Sequence, residues 1–223
     1  MSTATSSKSQ PAAAAPRKPA SLANKYLQVF NAFSAIMWGV VLIRLLVLYP
    51  LVGHDFVSEG VAVFLSWTQT LAVLEVFHAL IGIVRSNPLT VAMQVASRLF
   101  VVWGVVRLFP QSASHQAFST MVLAWSITEL IRYPYYWAQL RGETPKWLEW
   151  IRYTFFIVLY PLGASSEMII TYFALPVASF YHPHFSLLMK LVLIIYPPSF
   201  YVLYMHMFKM RHKVQQLAAR KQQ

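Results

Sequence analysis

Six long apolar stretches limit what this chain can fold into. They cover residues 26–49, 60–84, 89–109, 117–140, 147–176 and 186–208. A helix needs about 20 apolar residues to cross the hydrocarbon core of a bilayer, and each stretch reaches that length. The stretches are continuous rather than alternating with a period of two, which favours helices over a β-barrel. The sequence therefore predicts an all-α, polytopic membrane protein, built as a bundle of six transmembrane helices.

Composition agrees with a membrane protein and excludes several functions. Hydrophobic residues make up 57% of the chain and charged residues only 11%, whereas soluble proteins carry about 25% charged residues. The net charge of +11 is assigned to cytoplasmic loops and anionic lipid headgroups of the bilayer, not to a nucleic-acid partner. The absence of cysteine excludes disulfides, thiolate metal sites and a cysteine nucleophile.

The basic residues alternate along the connections. They occur before the first stretch, at Arg85, in the turn 141–146 and in the C-terminal tail, whereas the loops at 50–55, 110–116 and 176–185 contain no Lys or Arg. By the positive-inside rule, both termini are predicted to be cytoplasmic. We expect a disordered cytoplasmic tail over 1–24, a membrane domain over 25–208 and a basic cytoplasmic tail over 209–223, which could begin as an extension of the last helix.

Several charged or polar residues lie inside the apolar stretches. Glu75 and His78 are three residues apart and share one helical face. A second face is shared by Glu129, Arg132 and Tyr133. Charges are costly in a bilayer, so we expect these groups and Arg98 to face inward and pair across helices. They either fix the bundle or support a reaction site.

The fifth stretch contains the candidate reaction site. Tyr160 and Glu167 are seven residues apart, which is close to two helical turns, so both side chains project from one face about 10 Å apart along the axis. Pro161 and Gly163 lie between them and are expected to distort the helix and draw the pair together. The hydroxyls of the next two serines, Ser165 and Ser166, are expected to bind freed backbone groups or substrate.

The available side chains favour acid–base chemistry. No histidine and carboxylate cluster has the spacing of a metal site, and no cofactor is expected. A carboxyl and a tyrosine hydroxyl together suit elimination of water from a β-hydroxy carbonyl compound. One group removes the proton beside the carbonyl, and the other protonates the leaving hydroxyl. A kinked helix whose glutamate only pairs with an arginine is the structural alternative.

Several short segments are distinctive when taken together. They are LEVFH at 74–78, QVASR at 94–98, WGV at 103–105, WSITELIRY at 125–133, RY at 152–153, LYPLG at 159–163 and SE at 166–167. With them the chain resembles the (3R)-3-hydroxyacyl-CoA dehydratase family of the endoplasmic reticulum, also called the protein-tyrosine-phosphatase-like family. The segments occur in order within residues 25–210. One departure is Leu162, which stands where the family usually has threonine.

The resemblance implies a function and a set of site residues. The family's catalytic tyrosine and glutamate fall on Tyr160 and Glu167. Supporting or substrate-orienting roles are expected for Arg98, Glu129, Arg132, Tyr133, Ser165 and Ser166. The implied reaction converts 3-hydroxyacyl-CoA to trans-2-enoyl-CoA without a cofactor, as the third step of very-long-chain fatty acid elongation. The implied partners are the elongase condensing enzyme, 3-ketoacyl-CoA reductase and enoyl-CoA reductase.

The same resemblance implies an endoplasmic reticulum membrane. The basic pair Arg220-Lys221, near the end of the chain, looks like a dilysine-type retrieval signal. Two other functions are kept as alternatives. A catalytically inactive scaffold of the same fold would assemble without turnover, and a proton-coupled transporter would use the intramembrane charges as a relay.

Overall fold

The computed structural model describes residues 21–220, with side chains to residue 216. Every regular element in this part of the chain is helical, which confirms the predicted all-α class. The helices are α1 (Leu22–Thr70), α2 (Val73–Leu80), α3 (Pro88–Leu99), α4 (Gln116–Leu140), α5 (Lys146–Tyr181) and α6 (Pro183–Arg220). A π-helical segment, Phe100–Val106, follows α3, and a short 3₁₀ helix, Pro110–Ser114, precedes α4.

Four helical segments are long and apolar enough to cross a membrane. They are Leu22–Leu80, Pro88–Val106, Lys146–Tyr181 and Pro183–Gln216. Helix α4 is not one of them, and it carries the charged residues Glu129 and Arg132. The chain is therefore a helical membrane protein whose central helix is more polar than its neighbours.

Helix α1 consists of two limbs that meet at Gly53. The backbone of this glycine leaves the helical conformation, with φ 73° and ψ 178°, a combination that residues with a Cβ rarely adopt. Arg44 in the first limb donates from Nε and a terminal nitrogen to the carbonyl oxygen of Gly60 in the second, at 3.0 and 2.5 Å. The two limbs are therefore bonded to each other across the kink.

The predicted turn between the second and third stretches is confirmed. The Asn87 side chain caps α3 by accepting from the backbone N–H groups of Leu89 at 3.0 Å and Thr90 at 3.4 Å. Pro88 occupies the first turn of the helix, where its missing N–H costs nothing. The sequence signal and the structure agree here because both depend on local backbone chemistry.

Two predicted interruptions are wrong. The loop expected at 176–185 is mostly helical, because α5 continues through Pro176 to Tyr181 and α6 begins at Pro183. The break expected at Pro197 and Pro198 is absent, since α6 runs through both prolines. The connection expected at 110–116 is present and contains the 3₁₀ helix. Membrane helices tolerate proline where neighbouring groups satisfy the freed carbonyls. The sequence of one span does not show whether such groups are present.

Both predicted tails extend beyond the described residues. Helix α1 already begins at Leu22, with the Ser21 hydroxyl accepting from the N–H of Asn24 at 3.2 Å, and residues 1–20 lie outside the described range. The predicted extension of the last helix is confirmed as far as Arg220. Of the retrieval signal, Lys221 lies outside the described range.

The core forms where α4 packs between α1 and α5, and α6 packs against the outer side of α5. Trp38 of α1, Trp125 of α4 and Ile170 of α5 are buried in this core. The same region holds Glu129 and Glu167, which are 1% and 6% exposed. The fold therefore brings the predicted site residue of α5 into the middle of the bundle.

Candidate active site

Both carboxylate oxygens of Glu167 have hydrogen-bond donors. The indole Nε1 of Trp125 donates to Oε1 at 2.8 Å, and the hydroxyl of Tyr196 donates to Oε2 at 2.5 Å. Trp125 lies on α4 and Tyr196 on α6, so the carboxylate is held from two neighbouring helices. Its burial is compensated by two hydrogen bonds, as a polar group inside a membrane requires.

Tyr160 lies two turns before Glu167 on α5, as the spacing predicts. Its ring stacks on Phe200, with centroids 5.1 Å apart and planes 13° apart, and on Tyr204, with centroids 6.0 Å apart and planes 8° apart. Among the described residues, its hydroxyl makes no hydrogen bond. The tyrosine that contacts Glu167 directly is Tyr196, so the structure does not bring the predicted pair into contact.

Pro161 does not interrupt α5. A proline has no N–H, so the carbonyl four residues earlier, that of Ile157, loses its helical donor. The hydroxyl of Tyr204 on α6 donates to this carbonyl oxygen at 3.0 Å. A neighbouring helix thus replaces the lost bond, and α5 stays helical through the segment that was expected to distort.

Gly163 is buried where α5 packs against α4. A Cβ at this position would lie 3.5 Å from Cδ1 of Trp125 and 3.8 Å from the Cβ of Ala124, which is ordinary van der Waals contact. The approach of the two helices therefore does not require a glycine here. One turn further along α5, the Trp125 indole binds Glu167.

The two serines of the segment bind backbone and a neighbouring helix. The Ser165 and Ser166 hydroxyls both donate to the carbonyl oxygen of Leu162, at 3.1 and 2.7 Å. The Ser166 oxygen also lies 2.8 Å from the Thr120 hydroxyl on α4. Ser165 is exposed and Ser166 is buried. Ser166 therefore links α5 to α4, whereas the Ser165 side chain hydrogen-bonds within its own helix and is exposed.

Charged residues inside the bundle form a connected network. Glu129 on α4 pairs with Arg98 of α3 through Oε1 and with Arg132 through Oε2, the latter at 2.5 Å. The two terminal nitrogens of Arg132 donate to the carboxylate of Glu75 on α2 at 2.6 and 2.8 Å. The Tyr133 hydroxyl donates to the same carboxylate at 2.5 Å. The predicted pairing of these charges across helices is confirmed.

His78 lies on the same side of α2 as Glu75 but contacts α1. Its Nε2 lies 2.9 Å from the Tyr26 hydroxyl of α1, and its ring meets that of Phe30 edge to face, with centroids 4.8 Å apart. Glu75 and His78 thus face the bundle interior together, one toward α4 and the other toward α1.

The network reaches the candidate site through one indole ring. The guanidinium carbon of Arg98 lies 4.9 Å from the centroid of the Trp125 ring, whose N–H is bonded to Glu167. Arg132 and Tyr133 make their side-chain hydrogen bonds to residues of α2 and α4. The structure therefore places Arg98 and Trp125 beside Glu167, whereas Arg132 and Tyr133 stabilise the bundle around Glu75.

Arginines and aromatic rings associate near the turn between α4 and α5. A terminal nitrogen of Arg152 donates to the Tyr136 hydroxyl at 3.0 Å, and its guanidinium carbon lies 4.9 Å from the Tyr135 ring centroid. Arg141 lies 4.7 Å from the ring centroid of Trp137. This end of the bundle therefore combines arginine cations with aromatic rings.

Residue spacing did not identify the side chains that bind Glu167 and the Ile157 carbonyl. Trp125 was recognised only as part of a similar segment, and Tyr196 and Tyr204 were not singled out. A tyrosine in an apolar span needs a partner for its hydroxyl, so Tyr196 carried a usable signal. Its partner depends on how α6 is rotated against α5, which residue spacing within α6 does not determine.

Comparison with known proteins agrees with the segments identified above. Residues 69–216 match the family described as protein tyrosine phosphatase-like protein, PTPLA. No solved structure matches the chain.

Three relatives illustrate the similarity. The chain is 38% identical over 197 residues to the probable very-long-chain (3R)-3-hydroxyacyl-CoA dehydratase of Schizosaccharomyces pombe, covering 87% of this chain and 95% of that protein. It is 35% identical over 208 residues to human very-long-chain (3R)-3-hydroxyacyl-CoA dehydratase 2, covering 86% and 82%. It is 36% identical over 152 residues to PASTICCINO 2B of Oryza sativa subsp. japonica, named as the same kind of dehydratase, covering 68% and 69%. The chain therefore belongs to the protein tyrosine phosphatase-like (PTPLA) family.

Proposed function

We propose that this protein is a very-long-chain (3R)-3-hydroxyacyl-CoA dehydratase, a hydro-lyase that forms trans-2-enoyl-CoA. The observation that carries this proposal is the 38% identity, over nearly the whole of both chains, to a relative named for that activity. The buried carboxylate of Glu167 and the half-buried hydroxyl of Tyr160 on the same helix supply the acid–base groups that the reaction needs.

In the proposed reaction, Glu167 removes a proton from C2, beside the thioester carbonyl. The electron pair of the broken C–H bond forms the C2–C3 double bond as the C3–O bond breaks. Tyr160 gives its proton to the departing hydroxyl, which leaves as water. The proton on Glu167 then returns to the Tyr160 oxygen, directly or through water, and the site is restored.

The opposite ends of the substrate need different surroundings. The acyl chain would lie between the apolar faces of the helices, which places the reacting carbons beside α5. The CoA phosphates would remain at the membrane surface, where cations attract them. Suitable cations at the α4–α5 turn are Arg141, Lys146 and Arg152, of which Arg141 and Lys146 are exposed, and the basic C-terminal segment adds others.

We further propose six membrane crossings with both termini in the cytoplasm of an endoplasmic reticulum membrane. The reversal of α1 at Gly53 supports two crossings before the turn at residue 87. Counting α4 as a crossing then gives six. The elongase condensing enzyme, 3-ketoacyl-CoA reductase and enoyl-CoA reductase are proposed partners, because dehydration lies between two reductions in fatty acid elongation.

Purified protein incubated with (3R)-3-hydroxyacyl-CoAs of graded chain length tests the function. The proposal predicts that trans-2-enoyl-CoA forms when folded wild-type protein is present and does not form without it. A folded protein that forms no enoyl product at any length would contradict it and favour the inactive scaffold. Substrate-dependent proton flux in sealed vesicles without enoyl product would favour the transporter.

A further inference from the structure

The surroundings of Glu167 differ from those of the other two glutamates in the bundle. Glu75 and Glu129 both bind arginine side chains directly. Among the described residues, Glu167 has no arginine within ion-pair distance, and its partners are an indole N–H and a hydroxyl. Glu167 can therefore gain or lose a proton without breaking an ion pair, which neither of the other two can do.

The two partners of Glu167 are chemically unlike each other. The indole nitrogen of Trp125 only donates, whereas the hydroxyl of Tyr196 both donates and accepts. In a carboxylic acid, the oxygen that carries no proton is the better acceptor. The protonated form of Glu167 therefore keeps both hydrogen bonds when the proton lies on Oε2 and the Tyr196 hydroxyl accepts from it. A proton on Oε1 would weaken the bond from Trp125.

We propose that Tyr196 and Trp125 are positioning residues that divide the two oxygens of Glu167 between them. Trp125 holds Oε1 as an acceptor in both protonation states. Tyr196 donates to Oε2 in the carboxylate and accepts from Oε2 in the acid, so Oε2 is the oxygen that takes up the C2 proton. This inference rests on the proposed dehydratase reaction.

Because Trp125 and Tyr196 each bind one oxygen of Glu167, Tyr196 and Tyr160 have different roles. Tyr196 is bonded to the carboxylate from α6, on the far side of α5 from Trp125. The Tyr160 hydroxyl stays without a hydrogen bond among the described residues and is free to meet the C3 hydroxyl of the substrate. Tyr196 thus supports Glu167, and Tyr160 acts on the substrate.

The test compares Tyr196→Phe with Tyr201→Phe. Both changes remove one tyrosine hydroxyl from α6, but the Tyr201 side chain is 64% exposed, whereas Tyr196 is bonded to Glu167. We expect Tyr196→Phe to lower kcat about 10²-fold, because a misplaced reacting group costs this much, and to leave KM within about threefold. Tyr201→Phe should keep wild-type kcat and KM.

Infrared spectroscopy gives a second readout that does not depend on turnover. The carboxylate stretching band of Glu167 is identified by its loss in Glu167→Gln. It should shift in Tyr196→Phe and in Trp125→Phe, and stay in place in Tyr201→Phe. Wild-type kcat together with an unshifted band in Tyr196→Phe would overturn the proposal.

Two further measurements distinguish the loss of these hydrogen bonds from a failure to fold and from a lack of dehydratase activity. Should Tyr196→Phe fail to fold, as judged by thermal unfolding in detergent, Trp125→Phe carries the test. Wild-type kcat and an unshifted band in Trp125→Phe would then overturn the proposal. An inactive wild-type protein contradicts the dehydratase function, whereas an unshifted band in an active enzyme contradicts only the roles of Tyr196 and Trp125.

Discussion

Tyr160 and Glu167 lie on one helix but differ in how firmly they are held. Glu167 is 6% exposed and bonded through both oxygens. Tyr160 is half-buried, and its ring is stacked while its hydroxyl has no hydrogen bond among the described residues. A fixed base and an acid that completes its contacts with the substrate are consistent with the proposed elimination.

Tyr160→Phe separates the role of this hydroxyl from that of its ring. The ring keeps its stacking on Phe200, so we expect the thermal unfolding temperature to change little. Loss of the acid should lower kcat about 10²- to 10⁴-fold, the usual contribution of a general acid or base. Turnover assays and thermal unfolding of the same preparation check both expectations. Near wild-type turnover would exclude Tyr160 as the acid.

At the scale of elements, α5 depends on α6 for its continuity. Pro161 leaves the Ile157 carbonyl without its helical donor, and the Tyr204 hydroxyl takes that place at 3.0 Å. The stacking of Tyr204 on Tyr160 lies on the same face. The helix that carries the site is therefore completed by its neighbour.

Tyr204→Phe tests this dependence. The change leaves the Ile157 carbonyl unsatisfied inside the bundle, which costs about 1–3 kcal/mol. We expect a lower thermal unfolding temperature in detergent, with Tyr201→Phe as the control because its exposed hydroxyl has no such role. Equal unfolding temperatures for the two variants would show that the carbonyl finds another donor.

Sequence signals predicted the helices well where the signal was local. Four of the six apolar stretches fall wholly within helices, the stretches 60–84 and 89–109 are helical over most of their length, and Asn87 and Pro88 marked the start of α3 correctly. Pro176, Pro197 and Pro198 misled because α5 and α6 continue through them. A proline need not end a membrane helix when another group satisfies the freed carbonyl. At Pro161 that group comes from another helix, so the sequence of one span does not contain it.

The same reasoning applies to the candidate site. Helical spacing correctly grouped Glu129, Arg132 and Tyr133 on one side of α4, and burial cost correctly predicted that the charges pair. Spacing within one helix does not identify partners on another. The bonds from Trp125 and Tyr196 to Glu167 therefore emerged only from the packing of α4, α5 and α6.

At the scale of the whole molecule, α4 contacts both the charged network and the candidate site. One part of it holds the ion pairs with α2 and α3 through Glu129 and Arg132. Another part presents Trp125 to Glu167. The charged network thus lies next to the site without entering it, and Arg98 above the Trp125 ring connects the two.

The proposed six crossings can be tested with introduced cysteines, because the natural chain has none. Ser86 and Gln111 are both exposed and lie in successive connections. In sealed vesicles with the cytoplasmic face outward, we expect Ser86→Cys to react with a membrane-impermeant maleimide. Gln111→Cys should react only after detergent is added. Labelling of both positions in sealed vesicles would contradict the proposed topology.

The rate of trans-2-enoyl-CoA formation by Glu167→Gln, measured beside wild-type protein in the same detergent, tests the central claim most directly. The amide keeps the size of the side chain but cannot act as the base. The proposed mechanism predicts enoyl product from wild-type protein and a rate about 10²- to 10⁴-fold lower in the variant, with both proteins folded. A folded Glu167→Gln protein that dehydrates (3R)-3-hydroxyacyl-CoA at the wild-type rate would contradict the mechanism.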